Sequence, residues 1–344
     1  MQIGGSGFII QIMNKLNFLD LKTTDPAFNL SAEQYIFEKL PADRIYFMLW
    51  QNASAVIIGK YQNTLAEINE KIVRKNGIKV VRRLSGGGAV YHDLGNLNFT
   101  FIAEAEETDE LNMRVFCLPI VKALAKLGVS ADINGRNDIT IDGRKFSGNA
   151  QYIRSGRVMH HGTIMFDSDL DMMQKVLQVD PSKIKSKGSK SVRSRVTNIK
   201  EYLREDITLE EFRFLLLRSV LEDNPGEEYV FSAEDIRGIE RLKKERYDNW
   251  EWNFGRSPVC SLHKSARIDG VGRIDVFLST DRSIVTGLEF RGDYFSAEDP
   301  ALLAARFIGK RADAEGYGMA LEGIEVSKYF SRLKKDELLD LMLA

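Results

Sequence analysis

The sequence predicts an α+β fold in two unequal parts, a larger first unit and a small second one. Three observations carry this. Strand-like runs follow one another across turn signals, at Asp142-Gly143 and Ser155-Gly156, instead of alternating strictly with helices as a doubly wound sheet requires. The chain has 344 residues, about twice the size of a common single domain. The pattern breaks at 248–258 (DNWEWNFGRSP), a short aromatic, turn-rich stretch, and strand signals then start afresh. The expected units are therefore 1–248 and 258–344.

The elements follow in order. Phe28, Ala32, Tyr35, Ile36 and Leu40 fall at helical spacings, and Pro41 stops the run. Strands are expected at 45–50, 55–58, 78–82, 89–91 and 97–102, and a long helix at 111–128, closed by Gly128. Ile139-Thr140-Ile141 runs into Asp142-Gly143, a strong hairpin signal, and two more strands flank Ser155-Gly156. Helical patterns begin at Leu170 and cover 209–221. Beyond the break come two or three antiparallel strands over 265–290, then helices near 300–311 and 334–343. No repeat or low-complexity tract interrupts the chain.

Composition narrows the function. Apolar residues are 44% and charged residues 28%, ordinary for a globular chain. Lys plus Arg is 48 against 49 for Asp plus Glu, a net charge of −1, which excludes a globally basic nucleic-acid coat but not a local basic patch. The two cysteines, Cys117 and Cys260, make no disulfide scaffold and no zinc pattern. No apolar run is long enough to span a bilayer, and 1–12 reads as an extension without signal-peptide character. A reducing, cytoplasmic compartment is expected.

Four segments carry chemistry. Gly86-Gly87-Gly88 follows Arg82-Arg83-Leu84-Ser85; bare backbone lets a ligand approach N–H groups, and the arginines can neutralise a phosphate or carboxylate. Strands flank this loop and no Gly-Lys-Ser/Thr follows, so it is not a Walker loop; a plain hairpin is its bland reading. Lys145, just past the 142–143 turn, can hold an α-phosphate and polarise a carbonyl, or be a solvated lysine. Asp138 can offer one oxygen to Mg²⁺ or serve as an Asx-type turn residue. His160 and His161, neighbours on a strand, face opposite ways and cannot readily share an ion, so packing or hydrogen bonding is expected of at least one. Six basic residues and no acid lie in 183–195. That run reads as a solvated loop, a nucleic-acid contact weakened by the lack of aromatics, or a flap over a phosphate.

Taken together, RRLSGGGAVYHDLGNLNFTF (82–101), GRNDITIDGRKFSGNAQY (135–152), HHGTIMF (160–166), KGSKSVRSRVTNI (187–199) and WEWNFG (250–255) resemble the lipoate–protein ligase A family. The resemblance runs from about residue 16 to the C-terminus. It implies a large catalytic domain of the fold shared by class II aminoacyl-tRNA synthetases and biotin ligases, plus a small α+β accessory domain. It also implies a ligase that joins lipoate to ATP, releases pyrophosphate and holds lipoyl-AMP. The lipoyl group then passes to a lysine ε-amine on lipoyl domains of 2-oxoacid dehydrogenase acyltransferase subunits and on the glycine cleavage H protein, with no nucleic-acid or membrane partner.

Residue by residue, the resemblance makes Lys145 the contact to the acyl-adenylate and Arg83 a nucleotide contact. Ser85, Gly86, Gly87 and Gly88 match the lipoate-binding loop, and Gly88, Ala89, Val90 and Tyr91 the stretch touching the nucleotide. Asn137 joins the binding set, and Lys187, Gly188, Ser191 and Arg193 the adenylate-binding loop, while Mg²⁺ at Asp138 rests on the chemistry of its carboxylate. Three alternatives stand beside this. An ATP-independent octanoyl or lipoyl transferase would need a site cysteine, but Cys117 lies in a predicted helix and Cys260 beyond the motifs. A biotin ligase would carry a different glycine-rich loop. A non-catalytic lipoyl-domain binder would not need Arg83, Gly88 and Lys145.

Overall fold

The computed structural model describes residues 16–343 apart from 63, 106–112, 136, 178–194, 255–261, 282–283 and 313. The extension 1–12, Cys260, and Lys187, Gly188, Ser191 and Arg193 lie outside the described residues.

Among the described residues the strands form three sheets. Eight strands make the largest, in the order β11 (Gly226–Glu228), β1 (Leu16–Asp20), β2 (Ile45–Trp50), β6 (Asn96–Glu104), β10 (Arg157–Met165), β9 (Arg144–Arg154), β8 (Asp138–Ile141), β7 (Asp132–Asn134). β1 runs parallel to both neighbours, whereas β2, β6, β10, β9, β8 and β7 pair antiparallel. A small sheet places β3 (Ala55–Ile58) between β4 (Lys79–Arg82) and β5 (Val90–His92). The third holds β12 (Leu262–Ile268), β13 (Gly272–Asp281) and β14 (Ile284–Gly292) as an antiparallel meander.

The pattern of β2, IYFMLW, explains why the large sheet is covered on both faces. All six residues are buried, as in strands with no solvated side. Ile45, Phe47 and Leu49 join Phe99, Phe101, Ile120, Leu124, Phe212 and Leu216 under the Arg114–Lys126 and Leu209–Asp223 helices. Tyr46, Met48 and Trp50 face the Pro26–Lys39 helix and the inner face of the small sheet, through Leu30, Ile36, Ala55 and Ile57. A separate apolar cluster, from Val271 to Met342, fills the space under β12–β14.

Both sequence-read turns are present. Asp142 (φ 49°) and Gly143 (φ 74°) join β8 to β9, and Ser155 (φ 52°) and Gly156 (φ 71°) join β9 to β10. Positive φ at both central residues is the geometry that fits a right-twisted hairpin. The sequence reading passed over β1, β7, β11 and the Ala233–Leu242 helix. The three strands are short, three to five residues, and two of them sit at sheet edges. A segment that short carries almost no periodicity of its own.

Candidate active site

A cavity of about 640 Å³ opens between the small sheet, the central strands of the large sheet and the C-terminal unit. Its wall gathers Arg83, Gly87, Gly88, Ala89, Val90, Asn137, Asp138 and Lys145 from the residues singled out in the sequence. Arg267 on β12 and Asp293 close it from the C-terminal unit, held to each other at 3.1 Å.

Lys145 is the second residue of β9, so the hairpin turn sets its position. Its Nζ lies 2.7 Å from Asp138 Oδ1 across the β8–β9 pair. Gly148 clears the space: a Cβ there would stand 2.8 Å from Lys145 Nζ. The chain emerging from the basic run docks alongside, with Thr197 N donating to the Lys145 carbonyl (2.9 Å) and Arg195 and Val196 on the cavity wall. Asn137 is pinned to Asn149 by its Nδ2 donating to the Asn149 carbonyl (2.9 Å).

The glycine loop is braced from two sides. Arg83 Nη2 donates to the carbonyls of Gly86 (2.6 Å) and Gly88 (2.9 Å), Nη1 to that of Ile57 (3.2 Å), and Nε to Ser85 Oγ (3.0 Å). Most of its fork therefore shapes the loop. Burial lowers the guanidinium to about 10, still cationic at neutral pH. From the other side, a Cβ on Gly86 would lie 2.4 Å from the Tyr294 carbonyl, which Gly87 N also meets at 3.2 Å. Gly86 thus serves the seam with the C-terminal unit.

Ser85 is buried behind the wall, tied to a chain of polar groups. Glu33, 1% exposed, accepts from Thr100 Oγ1, and His161 Nδ1 lies 3.0 Å from it. A carboxylate partner puts the proton on Nδ1, so His161 Nε2 accepts the Ser85 hydroxyl at 2.6 Å. Tyr91 faces away, packed with Val56, Ile58 and Val80. Strand alternation puts its neighbours Val90 and His92 on the cavity side.

The arginine pair divides its work. Arg82 does not face the cavity. Its Nε donates to the Trp252 carbonyl (2.8 Å), Nη1 to those of Gly59 (2.8 Å) and Gln62 (2.7 Å), and Nη2 to Thr64 Oγ1. Trp252 Nε1 returns a bond to the Arg82 carbonyl (2.8 Å). The expectation that both arginines can neutralise a ligand's phosphate or carboxylate is corrected for Arg82, which clasps the Trp250–Asn253 helix.

His160 and His161 do face opposite ways. His161 lines the cavity, whereas His160 stacks on Phe116 at 5.0 Å between Gln151 and Asn149. Burial presses both His160 and His92 from 6.5 to about 3. The folded chain keeps these rings neutral, while the unfolded chain protonates them below about 6.5. Stability is therefore expected to fall as pH drops from about 6.5 towards 3, by up to about 2.7 kcal/mol per pH unit for the pair. Urea midpoints at pH 7, 6 and 5 check this. An unchanged midpoint would show that the rings are not buried neutral.

Glu33, Trp50, Asn98, Arg267 and Asp293 were not anticipated at the site. One signal was available: in β6, Asn96, Asn98 and Thr100 alternate with Leu97, Phe99 and Phe101, and all six are buried. Alternate polar residues on a fully buried strand mark a wall that faces a ligand space or a polar network.

A model of the lipoyl protein ligase A/B catalytic domain matches residues 25–220, and one of the bacterial lipoate protein ligase C-terminus matches 257–342. A lipoate-protein ligase of Bacillus subtilis is 45% identical over 321 residues, covering 92% of this chain and 97% of its own. The chain belongs to the lipoate–protein ligase family. Two solved structures share its fold. A bipartite lipoate protein ligase studied with its E2 lipoyl domain, from Thermoplasma acidophilum, is 30% identical with a TM-score of 0.64 over 72% of this chain and all of its own. A lipoate-protein ligase A bound with ATP is 27% identical, with a TM-score of 0.61 over 70% of this chain and 98% of that one. The α+β architecture with a C-terminal domain is therefore that of lipoate ligases, and the chain is a ligase.

Proposed function

We propose that this ligase activates lipoate with ATP, releases pyrophosphate, holds lipoyl-AMP and passes the lipoyl group to a lysine ε-amine on a lipoyl domain. The observation that carries this is the meeting of Lys145, the Arg83-braced glycine loop and an apolar wall (Leu30, Trp50, Ile57) in one cavity. A free carboxylate is a poor acyl donor because oxide would have to leave; its mixed anhydride with AMP has a good leaving group. Lys145 Nζ places positive charge beside the α-phosphate and the acyl oxygen as negative charge grows there. Gly87 and Gly88 leave main chain bare on the wall for the acid and the nucleotide. The run containing Lys187, Gly188, Ser191 and Arg193 would close over the intermediate and keep water from the anhydride.

Mg²⁺ fits at Asp138, since the ion commonly takes one or two carboxylates and completes its shell with phosphate oxygens. Asp138 already pairs with a cation, Lys145 Nζ. When bound, the ion would neutralise the polyphosphate. Among the described residues no three His, Cys, Asp or Glu side chains gather as a metal cluster.

The acceptors proposed are the lipoyl domains of 2-oxoacid dehydrogenase acyltransferase subunits and the glycine cleavage H protein. Among the described residues no helix is long and apolar enough to cross a membrane. A cytoplasmic setting, where the acceptors and ATP occur together, accords with the low cysteine count. The test is intact-mass analysis of an isolated lipoyl domain incubated with enzyme, ATP, Mg²⁺ and lipoate. A lipoyl mass increment is expected only when all components are present. No increment from this mixture, but one from an acyl thioester donor without ATP, would sink the ligase reading in favour of a transferase.

The transferase reading needs a reactive thiol at the site. Cys117 is 1% exposed, absent from the cavity wall, and pushed by burial up to about 12. A Cys117→Ala, Cys260→Ala double variant is therefore expected to keep acid-dependent ATP–pyrophosphate exchange, losing only about 1–2 kcal/mol of stability for the emptied packing space. Loss of acyl transfer to a lipoyl domain in a folded double variant would restore the thioester route.

A further inference from the structure

One end of the cavity carries polar groups that the adenylation chemistry does not employ. Asn29 Nδ2 donates to the carbonyls of Thr23 (3.2 Å) and Gln51 (2.9 Å) and to Asn52 Oδ1 (2.9 Å). This turns Asn52 so that its Nδ2 donates to His92 Nδ1 at 3.0 Å. A neutral imidazole that accepts at Nδ1 carries its proton on Nε2. His92 lines the cavity, is 2% exposed, and its Nε2 has no hydrogen-bond partner. A second chain ends the same way on β6. Asn96 Nδ2 donates to Asn98 Oδ1 (3.0 Å), Asn98 lines the cavity, and its Nδ2 is unpartnered.

Both donors belong to one neighbourhood. Trp50 pairs in register with Asn98, and its ring lies 6.2 Å from that of His92. Leu30 and Ile57 supply apolar wall to the same cavity. Leaving two buried N–H groups unmatched is costly, so their place in a ligand cavity calls for an acceptor on the ligand.

We propose that His92 Nε2–H and Asn98 Nδ2–H recognise sulfur at the far end of the acyl chain, which makes these two residues determinants of specificity for a dithiolane acid over a plain alkyl acid of equal length. The inference rests on the lipoate-ligase reading above. In the sheet order, β6 with Asn98 and β9 with Lys145 are two strand spacings apart, about 10 Å. An eight-carbon acid with its carboxylate at Lys145 therefore carries carbons 6 to 8, where lipoate bears its sulfurs, towards Asn98 and His92. A thioether-type sulfur accepts a weak hydrogen bond, whereas a methylene or methyl accepts none. A site that offers donors discriminates against the analogue lacking the acceptor.

The test measures ATP–pyrophosphate exchange by the full chain with three acids: lipoate, octanoate and 6-thiaoctanoate. The last matches octanoate in length and carries one sulfur. The expected kcat/KM for 6-thiaoctanoate exceeds that for octanoate by about fivefold, and His92→Phe with Asn98→Leu brings that ratio to about one. Equal values for the two acids in the unmodified enzyme overturn the proposal without requiring any variant to fold. A ratio that survives in the folded double variant overturns it as well. No exchange with any of the three acids removes the ligase reading itself, and the proposal with it.

Discussion

Replacing Lys145 by alanine is expected to cut lipoate-dependent ATP–pyrophosphate exchange by about 10²–10³-fold, or about 3–4 kcal/mol of transition-state stabilisation. The size follows from position. Lys145 Nζ lies on the cavity wall, where Gly148 keeps the space around it open. The fold should survive, because the ion pair it loses with Asp138 is about one-third exposed at both ends. A pair so wetted contributes about 0–1 kcal/mol. Circular dichroism and a urea midpoint close to that of the unmodified chain would confirm that only chemistry was removed. Exchange at the unmodified rate in Lys145→Ala would take this lysine out of the mechanism.

The second large effect concerns stability. Arg82→Ala is expected to cost at least about 3 kcal/mol, because several buried carbonyls and the Thr64 hydroxyl lose a charged donor at once. Arg82→Lys should recover only part of the loss, since one ammonium cannot replace a planar fork with five donors. Trp252 touches Arg82 directly, so its fluorescence in urea reports the change. A loss below about 1 kcal/mol for Arg82→Ala would mean that the clasp is replaced by water at little cost.

These two residues show which parts of the site could be read in the sequence. The turn beside Lys145 made its placement legible, but by themselves Lys145 could be a solvated lysine and the glycine loop a plain hairpin; their proposed roles came from the family resemblance. Arg82 was misread with Arg83 because the alternation along β4 sends neighbours to opposite faces, and the partners of Arg82 lie up to 171 residues away. Glu33 was invisible for the same reason. It sits inside the Pro26–Lys39 helix, and only Thr100 and His161, 67 and 128 residues on, give it a role. Long strands such as β2, β6 and β10 announced themselves by pattern; β1 and β11 did not. Local turn chemistry and periodicity are written in adjacent residues, but a buried polar chain is assembled from residues the fold brings together.

The pairing of β1 with β11 bears on how the chain is made. Leu16 lies opposite Gly226, and Phe18 opposite Glu228. The first strand therefore waits for more than 200 further residues before its outer edge is covered. During synthesis at about 5–20 residues per second, that edge stays open for tens of seconds. A strand edge left open so long is where a nascent chain recruits a neighbour, and a slow, non-local closure is also a slow folding step. The β12–β14 meander is the opposite case, since each of its strands pairs with the one just finished. The piece that can pair soonest thus leaves the ribosome after the strand that has to wait longest.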